Sequence, residues 1–223
     1  MWRLLCQDVG MSVSRFGAMV GIGAAVMASV VGASAGTVAA EPGSAVRTAD
    51  SRPVVVIGAS ISTGYEVAGV VAYPRMISAI AGRSVYLSAR SGAGYNDGAI
   101  AGLTRAAKLQ ERDPALVVVQ AGSNDVGAST SAIDGQVRQV ISTVRAQAPN
   151  AKVALITVFP TVRGSGSDAR ATEAAIVNAA RAVDPSVSVI SPLSEGWVYG
   201  TSSDGHPDAA THQKLAERVA ALA

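Results

Sequence analysis

At 223 residues, 49% of them hydrophobic and 15% charged, the chain has material for one domain with a real core, with or without a removable leader. Its 18 Lys and Arg nearly cancel 16 Asp and Glu, and no block of like charge occurs, which argues against a nucleic-acid or acidic-surface partner. The single cysteine, Cys6, and the two histidines, with no paired ligand motif, speak against thiol chemistry, a disulfide framework and a bound metal.

The chain opens with Arg3 and Arg15 ahead of an apolar, Gly/Ala/Val-rich run from Phe16 to about Val31, then small residues, then Glu41-Pro42-Gly43. A basic start, an apolar middle and small residues at the cut describe a secretory signal peptide over 1–40. Cleavage after Ala40 fits Val38-Ala39-Ala40, and Ala33-Ser34-Ala35 offers a second site; Met11 to Ala40 alone also reads as a complete leader. An uncleaved anchor is the other reading, although the run is short for a span of roughly 20 residues. Cys6 would leave with the leader, so the mature chain holds no thiol. Residues 41–52 read as a flexible tether to a domain over 53–223, secreted or held at the cell envelope.

From there short β-branched runs alternate with longer amphipathic ones. Strands are expected over 53–57 (PVVVI), 84–87 (SVYL), 115–120 (ALVVVQ), 152–158 (KVALITV) and 187–190 (VSVI). Continuous rather than alternating apolar character suits parallel strands buried on both faces. Helices are expected over about 73–81, 97–111, 129–148, 168–183 and 209–222. The clearest places Ile133, Val137, Val140, Ile141 and Val144 on one face. Gly82, Pro114, Pro149 and Pro185 punctuate the joins. This alternation implies a three-layer α/β sandwich around a five-stranded parallel sheet. Ligands of such folds bind beyond the carboxyl ends of the strands.

Those positions hold Gly58-Ala59-Ser60-Ile61-Ser62-Thr63-Gly64, Ser91-Gly92-Ala93-Gly94, Gly122-Ser123-Asn124-Asp125 and Asp204-Gly205-His206-Pro207. Acyl transfer needs such groups. A serine hydroxyl becomes a useful nucleophile when a base takes its proton, which pairs Ser60 with His206. The imidazole needs a carboxylate to fix its tautomer, a role for Asp204. Each residue also has a duller reading: Ser60 as a helix cap, Asn124 and Asp125 as turn residues, Gly92 and Gly94 as loop glycines, His206 as a surface histidine. His212, inside the last helix, reads as a packing residue.

The four segments, in this order, resemble the blocks of the SGNH (GDSL-like) hydrolases over about Pro53 to Leu222. The resemblance implies a flavodoxin-like strand order 2-1-3-4-5 and hydrolysis of esters, often acetyl or acyl groups on sugars or lipids. It also implies an oxyanion hole made by the backbone N–H groups of Ser60 and Gly92 and the side-chain amide of Asn124. No cofactor is implied, and a monomer is expected.

Two positions depart from the family pattern. Ala59 stands where the first block has aspartate, so a bond bracing the turn is expected to be missing. The family places aspartate three residues before the histidine, but position 203 is serine and Asp204 is two before His206. In an extended loop Asp204 would point to the same side as His206; a backbone carbonyl from Ser202–Ser203, or Asp208, are the alternatives. These departures keep open a non-catalytic binding protein on the same fold. An α/β-hydrolase elbow is excluded by Ser62 in place of its last glycine, and neither a dinucleotide fingerprint nor a P-loop has its spacing. Tyr65, Tyr95, Phe159, Trp197 and Tyr199 are expected either to line an acyl or sugar pocket or to pack into the core.

Overall fold

The computed structural model describes residues 51–68 and 71–223. The expected leader, and all but the last two residues of the expected tether, lie outside the described residues. Five strands, β1 (Val54–Gly58), β2 (Val85–Ala89), β3 (Leu116–Gln120), β4 (Lys152–Ile156) and β5 (Ser188–Ile190), form one parallel sheet in the order β2-β1-β3-β4-β5. Val54 of β1 pairs with Val85 on one side and Leu116 on the other, which fixes the register of the three strands nearest the site. The helices are α1 (Ser60–Thr63), α2 (Tyr73–Ala81), α3 (Ala99–Ala106), α4 (Leu109–Arg112), α5 (Thr130–Gln147), α6 (Ser167–Val183) and α7 (Ala209–Ala220).

Side chains alternate across the sheet, as the pleat requires. Val54, Val56, Leu116, Val118 and Ile156 face one side, where Tyr73 and Ile77 of α2 and Leu215 and Val219 of α7 cover them. Val55, Ile57, Val117, Val119 and Leu155 face the other, beneath Ile100 of α3, Val137 and Ile141 of α5 and Ile176 of α6. Inner strands are therefore apolar along nearly their whole length, and β1 and β3 are buried throughout. At the edge, β2 leaves Tyr86 and Leu87 exposed.

The single helix expected over 97–111 is instead two. Lys108 takes a left-handed conformation (φ 52°) between α3 and α4. The break turns the chain so that Leu109 is fully buried, and Arg112 Nε donates to the carbonyl of Ala107 at 3.0 Å. Burying a leucine contributes roughly 1.5–3 kcal/mol, enough to offset one strained residue. The chain leaves β1 for β2 on one side and returns to β3 on the other. The carboxyl ends of β1 and β3 thus flank the reversal of strand order, where loops diverge and a crevice forms.

Candidate active site

The serine comes first. β1 ends at Gly58, Ala59 is extended, and α1 begins at Ser60. Ser60 therefore occupies the first helical position rather than the cap. It is 8% exposed, and Oγ lies 2.8 Å from Nε2 of His206.

The histidine is held by a hairpin between β5 and α7. Thr201 bridges Pro207 in antiparallel fashion, Ser202 N–H donates to the His206 carbonyl at 2.9 Å, and Gly205 N–H donates to the Ser202 carbonyl at 3.1 Å. Gly205 has φ 87°, and a Cβ there would run into the Thr161 carbonyl oxygen, so only glycine fits. The Thr161 hydroxyl donates to the Gly205 carbonyl at 2.6 Å and meets Tyr199 Oη at 2.7 Å.

Asp204 Oδ1 is 2.9 Å from Nδ1 of His206 and accepts from the Ser202 hydroxyl at 2.5 Å and from His206 N–H at 3.2 Å. The Ser202 hydroxyl, and then the His206 ring, hold this carboxyl down to about 2. An ionised carboxylate only accepts, so Nδ1 carries the proton and Nε2 presents its lone pair to Ser60. The route differs from the extended loop expected: the chain turns at Gly205, and the turn makes two-residue spacing sufficient. Asp208 is engaged elsewhere, capping α7 through Thr211 N–H at 2.9 Å. The Ser202 carbonyl is taken by Gly205 N–H.

The remaining segments interlock beside the serine. Asn124 lies in a 3-10 turn (Ser123–Asp125) after β3, and its Nδ2 donates to the Ala93 carbonyl at 2.9 Å, leaving the second amide hydrogen uncommitted. Asp125 Oδ1 accepts from Asn96 N–H at 2.8 Å and sits where a Cβ on Gly94 would be 2.6 Å away. Burial pushes the Asp125 carboxyl up, and its Oδ2 has no partner among the described residues. Gly92 takes φ 79° with open space where a Cβ would stand, so conformation rather than crowding explains the glycine. Among the described residues, neither the Ser60 nor the Gly92 N–H donates to a protein acceptor. The Thr63 and Ser91 hydroxyls, 3.1 Å apart, tie α1 to the Gly92 loop.

Of the aromatic residues, Tyr95, Phe159 and Trp197 are buried and pack in the core. Tyr199 braces the hairpin through Thr161. Tyr65 is 43% exposed with its ring 4.8 Å from the His206 ring, at the mouth of the site. His212 is fully buried, and its Nδ1 accepts from Tyr73 N–H at 3.2 Å. Sequence reasoning passed over Gln120 and Thr161, and named Gly205 without a role. For Gln120 a signal existed, since a polar residue closing an apolar run inside a two-faced sheet must find a partner. Among the described residues, no helix is long and apolar enough to cross a membrane.

Comparison with known proteins agrees with this architecture. No curated protein matches the chain. A family-two carbohydrate esterase from Clostridium thermocellum, solved in complex with cellohexaose, superposes with TM-score 0.63 at 23% identity, covering 76% of this chain and 62% of that one. This chain thus spans about 62% of that esterase's length. A putative lipolytic protein of the G-D-S-L family from Desulfitobacterium hafniense gives TM-score 0.62 at 14% identity, over 77% of this chain and 99% of the other. These two share the fold. TesA gives TM-score 0.59 at 26% identity, over 76% and 97%. Residues 56–214 match the profile of the GDSL-like Lipase/Acylhydrolase family, more than half of the sequence. The chain belongs to the GDSL-like lipase/acylhydrolase family, the SGNH hydrolases.

Proposed function

We propose that the protein is an exported serine hydrolase that cleaves carboxylic esters, small acyl or acetyl esters of lipid or carbohydrate, through an acyl-enzyme on Ser60. The observation that carries this reading is the chain of contacts Ser60 Oγ to His206 Nε2 at 2.8 Å and His206 Nδ1 to Asp204 Oδ1 at 2.9 Å. His206 takes the Ser60 proton as Oγ attacks the ester carbonyl carbon, and Asp204 stabilises the imidazolium. The oxyanion accepts hydrogen bonds from the N–H groups of Ser60 and Gly92 and from the Asn124 amide; loss of one such donor typically costs roughly 3–4 kcal/mol. Collapse expels the alkoxide, which takes the proton from His206, and the acyl group remains on Ser60. Water, deprotonated by His206, then attacks the acyl carbon, and the acid leaves as Oγ recovers its proton.

Carbohydrate-ester substrates are favoured by the company the fold keeps, including the cellohexaose-bound esterase and an acetyl xylan esterase from Butyrivibrio proteoclasticus. Export is inferred from the basic, apolar and small-residue order of 1–40. The test is a fluorophosphonate probe followed by p-nitrophenyl esters from acetyl to dodecanoyl, on wild type and Ser60→Ala side by side. The expected result is one adduct on Ser60, turnover falling as the acyl chain lengthens, and neither in Ser60→Ala. A folded wild type that takes no label beside a working control hydrolase would move the assignment to a binding protein.

A further inference from the structure

The turn that carries Ser60 lacks the side chain that usually closes such a turn. α1 starts at Ser60, so Ala59 is its N-cap residue, and alanine offers no acceptor to the N–H groups of the first turn. The resemblance puts aspartate here, one of the preferred N-cap residues. The N–H that an N-cap side chain would take, that of Ser62 at the third helical position, is nevertheless satisfied. Oε1 of Gln120, the last residue of β3, lies 3.1 Å from Ser62 N, 3.2 Å from Ala59 N and 2.9 Å from Ser62 Oγ. Two of these are main-chain N–H groups that only donate, so the Gln120 atom facing them is the amide oxygen. The Ser62 hydroxyl donates to Gln120 and accepts from Tyr73 Oη at 2.7 Å.

This cluster is shut off from bulk solvent: Gln120 is 1% exposed, and Ser62 and Tyr73 are fully buried. It has no slack, because a Cβ on Gly58 would run into Ser62 Oγ. β3 also leads directly into the turn that bears Asn124. One strand end therefore fixes both the serine turn and the asparagine turn.

We infer that Gln120 supplies the N-cap acceptor of the serine helix from the neighbouring strand, in place of a side chain at position 59, with Ser62 and Tyr73 locking it. Gln120 is a positioning residue: it sets Ser60 Oγ against His206 and touches no substrate. Its effect on turnover rests on the hydrolase reading above; the cap itself does not.

The experiment is a rescue. Gln120→Leu removes the acceptor, Ala59→Asp offers one from the usual cap position, and the pair tests whether one replaces the other. Three quantities are read: the rate of phosphonylation at Ser60, the kcat and KM for p-nitrophenyl acetate, and hydrogen exchange of the Ser62 amide. In Gln120→Leu we expect kcat and the phosphonylation rate to fall together by about 10- to 100-fold, with KM within about 3-fold and faster Ser62 exchange. Adding Ala59→Asp restores most of each. Unchanged labelling and exchange in Gln120→Leu, or no recovery in the pair, overturns the inference. Should Gln120→Leu not fold by itself, folding of the pair is the expected rescue, and failure of the pair when Ala59→Asp alone folds overturns it. If wild-type Ser60 resists the probe, the hydrolase reading fails, while Ser62 exchange and the folding rescue still decide the cap.

Discussion

The serine and the histidine that meet 2.8 Å apart are held in opposite ways. Ser60 stands on a turn sunk into the sheet, backed by Gln120, Ser62 and Tyr73, all fully or almost fully buried. His206 hangs from a short hairpin whose tip faces solvent: the side chain of Asp204 is 42% exposed. That hairpin is held by bonds within 202–206 and by ties from Thr161. One partner is placed by the core, the other by a loop. Because a loop contributes little to the core, damage to the hairpin should cost activity far more than stability, whereas damage beneath the serine should cost both.

The largest effect that sharpens this contrast is expected from Asp204→Asn. Loss of the carboxylate frees the imidazole to turn and to take the wrong tautomer, which in a buried triad costs about 10⁴ in kcat. With Asp204 partly in solvent, water replaces some of its role, and a drop of about 10³ is expected. The thermal midpoint should barely move, since surface changes stay within about 0.5 kcal/mol. The carboxyl, held to about 2, stays ionised throughout the range where an imidazole titrates. No acid limb of the kcat profile near pH 4 should therefore belong to Asp204. Turnover of Asp204→Asn within a few-fold of wild type would end its assignment as the orienting acid.

A smaller loss, about 100-fold, is expected from Gly205→Ala. The added methyl meets the Thr161 carbonyl oxygen at a residue with φ 87°, so the hairpin must shift. A misplacement near 1 Å costs on the order of 10². Phosphonylation of Ser60 should slow in step with kcat, while the folded signal by near-ultraviolet dichroism stays native. If melting temperature collapses instead, the hairpin belongs to the folding core and the contrast drawn above is wrong.

The same division marks what the sequence made legible. The buried strands were plain, because a sheet covered on both faces demands unbroken apolar runs, and those runs lie within two residues of the observed strands. The strand order came from the resemblance and not from periodicity. Ser60, Gly92, Asn124 and His206 drew attention because each follows a strand end, where α/β folds place ligands. The interruption at Lys108 was hidden, since the amphipathic spacing continues through it while the chain bends to bury Leu109. The route of Asp204 to the ring was hidden too: an extended loop was expected, and a turn at Gly205 does the work, set by a contact with Thr161 more than forty residues earlier. Gln120 gave half a signal: a polar residue closing a buried apolar run needs a partner, but its partners, Ala59 and Ser62, lie in the turn after β1, and no local pattern announces a cap supplied from another strand.

The smallest effect on activity is expected at the second histidine, which tests the buried side of the comparison. His212 is buried on α7 against Tyr73, whose N–H donates to its Nδ1, one residue removed from the serine turn, and burial pushes its imidazole down to about 4. In the unfolded chain the group titrates near 6.5. Between those values the unfolded chain binds a proton that the folded protein refuses, so stability is full above about pH 6.5 and falls as pH drops toward 4. The gap corresponds to roughly 3 kcal/mol. His212→Asn keeps an acceptor for Tyr73 N–H and removes the titration. Its kcat at neutral pH should stay within about 2-fold of wild type, while its denaturant midpoint should change less between pH 7 and pH 4 than the parent's. Parallel midpoint curves for the two proteins would mean that His212 carries its proton without strain. The core around Tyr73 would then be wetter than its packing implies.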